Sequence, residues 1–531
     1  MSKIGQLPPD SGIQPYTGVW DTEQVAHLLR RTLFGAKKGD IDFFLTLTPA
    51  QAVETLLTIP SSLPPPPVND YNDGSLIDME VAFGATWINA KSNFDLEFYR
   101  INSFKGWWLD VAVNQTRSLQ EKMVVFWHNH LATRGLETFY GRWCYRHNQM
   151  LRRNALGNFK TLIKQLTIDP LMLRFLNGNV NVKGAADENY GREIQELFVI
   201  GKGPDSHYTE EDVKSAAKVL TGWHAPTDTE ASIFSPLEHD TTNKTFSAFY
   251  NNTVVTGDAN GEVEIDNMLT MMFATSECAK FICRKLYRFF VYHTIDAGIE
   301  SEIITPLANI FRSSNYDIVP VLRALFGSQH FYDAMNKGSI IKSPADFVIG
   351  LMREFNISLP PAGALSERFK LRWLFFHAID DLGQNLGDPP NVAGWKAWYQ
   401  APQYDKNWIT TVTAPKRGKF IDTMIFYNFM AGSYISHLDV TAYTQTLSHA
   451  DDPTALIEEL IAIHYRISVG ANVRAQLKSI LLSGQTSDHY WTDAWAAYLA
   501  NPSDPTNKSV VETRLMSFYH YLLVLEEYQL M

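Results

Sequence analysis

The chain has 531 residues, of which 45% are hydrophobic and 13% aromatic, the composition of a well-packed globular protein. Its 46 basic and 57 acidic residues give a net charge of −11, which argues against nucleic acid or an anionic membrane surface as a partner. No run of about 18 apolar residues occurs, so no transmembrane helix is predicted. Cys144, Cys278 and Cys283 match neither a disulfide framework nor a zinc motif and are expected to be buried thiols.

The N-terminal region contains Gly and Pro and has no apolar leader core, so we expect an extended arm over residues 1–20. As given, the chain is expected to be cytoplasmic; a periplasmic or secreted setting is the alternative if a leader has been removed. Asp21 or Thr22 is predicted to cap a first helix, and Thr48 followed by Pro49 a second one. Ser61 to Pro67 reads S-S-L-P-P-P-P, which is predicted to be a surface linker.

An aromatic-rich helical region begins near Phe98 and includes a helix that ends in W-H-N-H, Trp127 to His130. Histidines at i and i+2 point about 200° apart on a regular helix. His128 and His130 can therefore bind one metal ion only if the helix ends there or the segment is extended. The alternative is that each is a histidine at the edge of the core, bonded to a backbone group or to a carboxylate.

The acidic stretch Asp187 to Leu197, D-E-N-Y-G-R-E-I-Q-E-L, is predicted to be helical, with Asn189, Glu193 and Glu196 on one stripe beside an apolar one. Carboxylates at such a boundary need a cation, a backbone donor or a metal ion as partner. Together with the histidines they form a candidate ligand set for Zn, Mn or Fe. The alternative is a buried network of ion pairs. In either case we expect Arg192, Glu193 and His128 to share one buried cluster.

Further along the chain, Thr209 and Asp212 resemble a capping box. Residues 224–262 read as a polar insertion with short strands, and within it His239-Asp240 and Lys244 could supply a general base and a cation over a cleft, or lie in a solvated loop. The segment Gly387 to Trp398 is a rigid aromatic loop that suits either stacking on a ligand or packing on the core. Residues 419–531 are predicted to be helical again. The chain contains no nucleophile elbow, P-loop or dinucleotide fingerprint.

Several short blocks, in one order along the chain, resemble the large bacterial family known as domain of unknown function number eighteen hundred. They are L-L-R-R-x-x-F-G at Leu28 to Gly35, W-H-N-H at Trp127 to His130, E-N-Y-x-R-E-x-x-E-L at Glu188 to Leu197, L-T-G-W at Leu220 to Trp223, H-D-x-x-x-K at His239 to Lys244, K-S-P at Lys342 to Pro344 and P-P-N-V-x-G-W at Pro389 to Trp395. The resemblance implies no particular reaction. It implies an exported protein with a sulfatase-like partner protein, whereas no export signal is present here.

These observations predict a mainly α protein, a large single-domain multi-helix bundle with a small β-containing insertion. The N-terminal arm is followed by a main domain over residues 21–430 and by C-terminal helices over 431–531 packed on it. The function is predicted to be a metal-dependent enzyme, hydrolytic or oxidative, or else a non-catalytic binding or assembly protein with a buried charge network and an aromatic loop that binds a polymer or partner. The candidate residues are, for catalysis, Glu188, Arg192, His239, Asp240 and Lys244; for metal, His128, His130, Glu193 and Glu196; and for substrate, Asn189, Tyr190, Trp223 and Trp395.

Overall fold

The computed structural model describes residues 12–73 and 75–531 and confirms the mainly α fold. Residues 1–11 of the predicted arm lie outside the described residues. From Gly12 the chain has no helix before Thr22, and Pro15 pairs with Ser328 in an isolated antiparallel bridge. This pairing anchors the described part of the arm to the second half of the chain.

The first half of the described chain consists mainly of helices, and residues 57–93 form a long connection between the third and the fourth. The helices are α1 Thr22–Thr32, α2 Lys38–Leu45, α3 Pro49–Leu56, α4 Phe94–Val113, α5 Gln120–His130, α6 Gly135–Thr138, α7 Gly141–Arg153, α8 Phe159–Thr167, α9 Pro170–Phe175, α10 Glu188–Glu193 and α11 Glu210–Val219. A π-helical segment, Ile194–Val199, continues α10.

The second half is built in the same way. Its helices are α12 Gly261–Phe273, α13 Ser276–Phe290, α14 Ala297–Ile299, α15 Thr305–Ser313, α16 Ile318–Phe326, α17 Pro344–Glu354, α18 Leu365–Asp381, α19 Thr413–Asp422, α20 Val440–Thr444, α21 Pro453–His464, α22 Ala471–Leu481, α23 His489–Ala500 and α24 Pro505–Val524. Further π-helical turns at Glu300–Ile304 and Thr423–Tyr427 join α14 to α15 and extend α19.

The predicted helix starts are confirmed where capping chemistry is local. Thr48 caps α3 in a capping box with Gln51, and Pro49 occupies the first turn. Thr209 and Asp212 form the predicted capping box of α11. In both cases a side chain within three residues satisfies backbone donors that the helix leaves free.

Each sheet in the described residues is a two-stranded antiparallel pair. The pairs are β1 Trp223–His224 with β2 Ile233–Phe234, β3 Lys244–Thr245 with β4 Val254–Val255, and β5 Phe429–Ala431 with β6 Tyr434–Ser436. The first two lie at the predicted insertion. The helical prediction for 419–531 is wrong at the third pair, because Asn428 (φ 70°) and Gly432 (φ 60°) turn the chain into a hairpin.

The apolar core extends through the described chain from Val25 to Tyr528. Helices of the C-terminal region contact the beginning of the chain: Arg30 of α1 donates a 3.2 Å hydrogen bond to the backbone oxygen of Ile463 in α21. Helix α4 packs against α7, α17 and α18, so helices from both halves of the chain meet at α4. Within residues 12–73 and 75–531, no helix combines the length and apolarity needed to cross a membrane.

Candidate functional site

The two predicted histidine ligands lie at the end of α5 and contact different neighbours. The His128 ring lies edge-on to Trp108, with centroids 5.2 Å apart, and 5.8 Å from the Trp395 ring. His130 Nε2 lies 2.8 Å from the backbone oxygen of Phe198, in the π-helical segment that continues the acidic helix. The W-H-N-H helix and the acidic stretch therefore meet, as predicted for a shared site, but the contact is made by a backbone carbonyl and not by a carboxylate.

Burial lowers the pKa of both histidines to about 3, so both imidazoles are neutral at neutral pH. The nearby charges of His147 and Lys105 lower the pKa of His128 further, and Lys285 does the same for His130. His128 Nε2 and His130 Nδ1 are buried without a hydrogen-bond partner among the described residues. A neutral imidazole with a free ring nitrogen keeps the capacity to bind a metal ion.

His147, on α7, is a third buried histidine beside this pair, and no sequence pattern pointed to it. Its Nδ1 lies 3.0 Å from Asp169 Oδ2, and its ring centroid is 6.3 Å from that of His128. Its Nε2 has no hydrogen-bond partner within residues 12–73 and 75–531. A carboxylate behind a histidine is the usual outer-shell arrangement of metal-ligating histidines. Over residues 12–73 and 75–531, however, no group of three or more His, Cys, Asp or Glu side chains is placed to hold a metal ion.

Arg192 lies at the surface, not in the core. Its guanidinium pairs with Glu210 at 2.7 Å and with Glu188 at 3.2 Å, and its side chain is 34% exposed. The prediction that Arg192, Glu193 and His128 share one buried cluster is therefore wrong. The reason is that α10 packs against α11. Glu210, in the first turn of α11, pairs with Arg192 at the surface.

Glu193 is the last residue of α10, and Glu196 lies in the π-helical segment that continues it. Burial, and next the charge of Glu196, raises the pKa of the Glu193 carboxyl, whose Oε2 is buried without a partner in the described structure. Glu196 pairs with the exposed amine of Lys202. Asn189 is half-buried one turn earlier on the same helix. The role of these carboxylates as metal ligands stays a prediction.

The H-D-x-x-x-K block forms a closed network inside the protein. Glu264, on α12, is fully buried between the Lys244 amine and His239 Nε2, which lies 3.2 Å from its Oε1. Asp240 Oδ1 accepts a hydrogen bond of 2.8 Å from the backbone N–H of Thr242, and its backbone oxygen accepts one from Lys244. Lys244 therefore fits neither predicted alternative, a cation over a cleft or a solvated loop, because its amine is buried and pairs with Glu264.

Three of the four residues predicted to bind substrate are core residues. Tyr190, Trp223 and Trp395 are only 2%, 5% and 2% exposed. The Tyr190 hydroxyl donates to Thr167 Oγ1 at 3.1 Å. The faces of these three aromatic rings pack against other residues of the core. The rings could stack on a ligand only if they left the core.

The aromatic loop from Gly387 to Trp398 packs on the end of α5. Asn129 Oδ1 accepts a 2.9 Å hydrogen bond from the Trp395 backbone N–H. Gly394 has φ +85°, and a Cβ there would lie 2.3 Å from the backbone oxygen of Asn129. Two of the sequence blocks on which the family resemblance rests thus fit together, and of the two predicted roles of the loop the structure shows packing on the core.

A buried ionic network joins α1, α17 and α21, and the sequence patterns did not single out its members. Glu354 Oε1 accepts from Arg30 at 2.8 Å and from the Ala36 N–H at 3.0 Å, and its Oε2 lies 3.4 Å from His464 Nδ1. Burial by itself would raise the pKa of Glu354, but the charge of Arg30 and the bond with His464 hold it far below its ordinary value. Arg30 follows Val25, Leu28 and Leu29 on the buried face of α1, and this position was the feature of the sequence that could have predicted a buried arginine.

A cleft of about 710 Å³, here called the proline cleft, lies between residues 60–68, the C-terminal half of α4, residues 114–121 and the start of α18. Its lining is mostly apolar. Trp107 Nε1 donates a 2.7 Å hydrogen bond to the backbone oxygen of Pro65, which holds the proline segment against α4. The predicted linker is therefore also one wall of a preformed cleft, a role that becomes visible only when α4 and α18 are in place.

The charged side chains that line the proline cleft are paired with one another or with buried partners. Asp110 accepts from Arg368 at 2.7 Å and also pairs with Arg372. Glu121 accepts from Arg152 Nε at 2.6 Å and from its Nη2 at 2.8 Å. The cleft therefore presents ion pairs and not isolated charges.

Gln115 is the polar exception in the lining of the cleft. Its backbone oxygen accepts a 3.1 Å hydrogen bond from Arg353, which fixes the residue in the connection between α4 and α5. Both side-chain atoms, Oε1 and Nε2, are buried and have no hydrogen-bond partner in the described structure. Solvent in the cleft does not reach these two atoms, and leaving a buried amide unpaired costs about 1–3 kcal/mol.

Comparison with known proteins identifies the family. The family described as Protein of unknown function (DUF1800) matches residues 27–529, which is nearly the whole chain. No curated protein and no solved structure matches the chain. The sequence blocks, their order and the extent of this match lead to one conclusion: the chain belongs to the DUF1800 family.

Proposed function

We propose that the protein is a small-molecule-binding protein and that the proline cleft is its binding site. The observation that carries the proposal is the cleft itself, about 710 Å³ in volume, mostly apolar and bounded by the proline segment and α4. Ligand sites of proteins are concave, mainly apolar cavities of about 300–1,000 Å³ with a few placed polar groups. The proline cleft has that size and that lining.

The chemistry of the lining favours binding over catalysis. General acid–base and nucleophilic catalysis need a titratable group that is free to exchange a proton or to attack. Asp110 and Glu121, the carboxylates that line the cleft, are each held by arginine. The proposal therefore follows the alternative predicted from the sequence, a binding protein, but moves the binding site from the aromatic loop to the proline cleft.

A neutral fluorescent probe tests the proposal. N-phenyl-1-naphthylamine fluoresces when it leaves water for an apolar site, and we expect saturable binding to the purified protein. Ala362 is exposed at the rim of the cleft, so Ala362→Trp should fill the entrance without disturbing the core. The matched control is Ala496→Trp, at an exposed position of α23 that does not line the cleft.

The proposal expects Ala362→Trp to weaken probe binding at least tenfold while Ala496→Trp binds like the parent. Equal melting temperatures of the two variants would show that the substitution acts locally. Absence of saturable binding, or binding that both variants retain, would show that the proline cleft is not a ligand site.

A metal-dependent activity centred on His128 is a second proposal, because one observation favours it. The His147 ring lies 6.3 Å from that of His128, its Nε2 has no hydrogen-bond partner in the part of the chain that the structure describes, and its Nδ1 is backed by Asp169. Elemental analysis of the parent and of His128→Gln and His147→Gln tests it. Stoichiometric Zn, Mn or Fe that both variants lose supports a metal centre, hydrolytic or oxidative; metal that is absent from the parent after growth with all three ions contradicts it.

A further inference from the structure

We propose that Lys285 and Arg288, on α13, form a site for a small carboxylate that also carries a carbonyl group, such as a 2-oxo acid. Arg288 holds the carboxylate, and the Lys285 amine forms an imine with the carbonyl carbon. Neither residue lines the proline cleft, so this inference does not depend on the proposed binding function.

The cations of α13 fall into two groups. Arg284 donates to both carboxylate oxygens of Glu300, at 2.9 and 2.6 Å, and Lys280 lies 4.0 Å from the same carboxylate. Lys285 and Arg288 form no ion pair within residues 12–73 and 75–531, although Glu300 acts on Arg288 from a distance. Positions three apart are neighbours on a helix surface, so these two charges repel one another. A bound anion would remove this repulsion.

Both side chains keep donors that solvent reaches. Lys285 Nζ lies 5.3 Å from the centroid of the Phe281 ring and makes no hydrogen bond in the described structure. Arg288 Nε donates to the backbone oxygen of His293 at 3.4 Å, and the guanidinium lies 5.8 Å from the centroid of the Tyr404 ring. Both residues are partly exposed, and their remaining nitrogen atoms, Nζ of the lysine and the two Nη of the arginine, are not enclosed by the protein. A small molecule can therefore contact both groups.

The surroundings of Lys285 make its amine reactive. Burial, and next the charge of Arg288, lowers the pKa of the Lys285 amine to about 8. His130 is a further titratable group near this amine; its own pKa is about 3, so it is neutral at neutral pH and offers no counter-charge. A lysine that is desolvated or beside another cation is an activated amine nucleophile, because more of it is uncharged at neutral pH.

The two groups divide the recognition of the ligand between them. The uncharged Lys285 amine attacks the carbonyl carbon, a C=N bond forms, and the carbonyl oxygen leaves as water with both amine hydrogens. A guanidinium binds a carboxylate through two parallel N–H groups, which Arg288 can supply from one turn further along α13. A carbonyl compound without a carboxylate lacks this second contact.

Reductive trapping with pyruvate and with acetone tests the site. The two ketones differ by one carboxylate, and sodium cyanoborohydride reduces an imine to a stable amine that mass spectrometry locates. The reference is Lys508, an exposed lysine of α24. At pH 8 we expect pyruvate to label Lys285 at least tenfold faster than Lys508, and acetone to show a smaller ratio. In urea-unfolded protein both ketones should label the two lysines equally.

The pH dependence of labelling checks the reactive amine separately. We expect the labelling rate of Lys285 in the folded protein to reach half its maximum near pH 8. In the unfolded chain the same lysine should do so near pH 10, the ordinary value for a lysine.

Two variants of α13 test the role of Arg288. Arg288→Gln should lower the pyruvate-to-acetone ratio of Lys285 labelling at least fivefold. The matched control Lys280→Gln removes the same charge from the same helix and should leave this ratio unchanged. A ratio that Arg288→Gln leaves unchanged would show that Arg288 does not hold the carboxylate. Pyruvate labelling of Lys285 in the parent that is no faster than that of Lys508 would overturn the site itself, however the variants fold.

Discussion

At the scale of single residues, the buried charges of this protein are arranged to hold helices together. Glu354 receives hydrogen bonds or ion pairs from α1, from the turn after it and from α21, all within the core. A buried ion pair adds little stability compared with an apolar replacement of both partners. Removing one partner alone, however, leaves the other charge buried without a counter-ion. The network therefore makes the contact between the beginning and the end of the chain sensitive to single substitutions.

Glu354→Gln should destabilise the protein by about 3–5 kcal/mol, because Arg30 would keep its buried charge without a counter-ion. Urea unfolding followed by circular dichroism measures the change. The matched control is Glu458→Gln, which breaks the exposed pair with Arg474 and should change stability little. Equal unfolding midpoints for the two variants would mean that the Glu354 network contributes nothing to the fold.

Residue roles were the least predictable part of the molecule. The spacing of Glu193 and Glu196 predicted two carboxylates on one stripe of an α-helix, whereas Glu196 lies in a π-helical segment and raises the pKa of Glu193 through its charge. Partners on other secondary-structure elements could not be predicted: Glu210 for Arg192, Glu264 for Lys244 and His147 for His128. Periodicity predicts which face of a helix a residue occupies, but not which other helix that face meets.

At the scale of elements, the aromatic loop and the end of α5 form one joint. Gly394 approaches the backbone of Asn129 so closely, and at φ +85°, that no side chain fits between them. The same contact brings Trp395 to His128. This contact with the aromatic loop therefore positions the C-terminal end of α5, which carries His128 and His130.

Gly394→Ala should destabilise the protein by more than about 2 kcal/mol, since the new Cβ meets backbone and the conformation disfavours it. The matched control is Gly418→Ala in α19, where a Cβ meets nothing within 4 Å; that variant should gain about 0.5–1 kcal/mol from helix propensity. Thermal unfolding of the two variants measures both effects. A Gly394→Ala protein as stable as the parent would show that the loop is not held at this contact.

Elements were largely predictable, with two exceptions that have different causes. The helix N-caps, the proline in the first turn of α3 and the strands near residues 244–255 are all determined by residues close in sequence. The hairpin at Phe429–Ala431 and Tyr434–Ser436 was missed because its turn, Gly432, lies in a stretch that otherwise reads as helical. The proline cleft was missed because its walls come from three separate parts of the chain.

At the scale of the whole molecule, buried neutral histidines make stability depend on pH. In the unfolded chain His128 and His130 titrate near 6.5, whereas burial lowers the folded pKa of each to about 3. Between these values the unfolded chain binds protons that the folded protein does not. The contribution to stability is therefore fully present above pH 6.5 and is lost as the pH falls toward 3.

His130→Gln should reduce this dependence. One buried neutral histidine contributes a slope of up to about 1.4 kcal/mol per pH unit, so between about pH 6 and pH 5 the variant should lose about 1 kcal/mol per pH unit less than the parent. Urea unfolding at a series of pH values measures the slopes. Parallel curves for parent and variant would mean that His130 is protonated in the folded protein.

The central claim, that the proline cleft binds a small molecule, is tested most directly by a crystal structure of the protein with N-phenyl-1-naphthylamine. The account predicts electron density for the probe between the proline segment and α4, in contact with Leu63 and Val111 and bounded by the start of α18. Density for the probe at another place on the protein, with the proline cleft free of it, would contradict the claim.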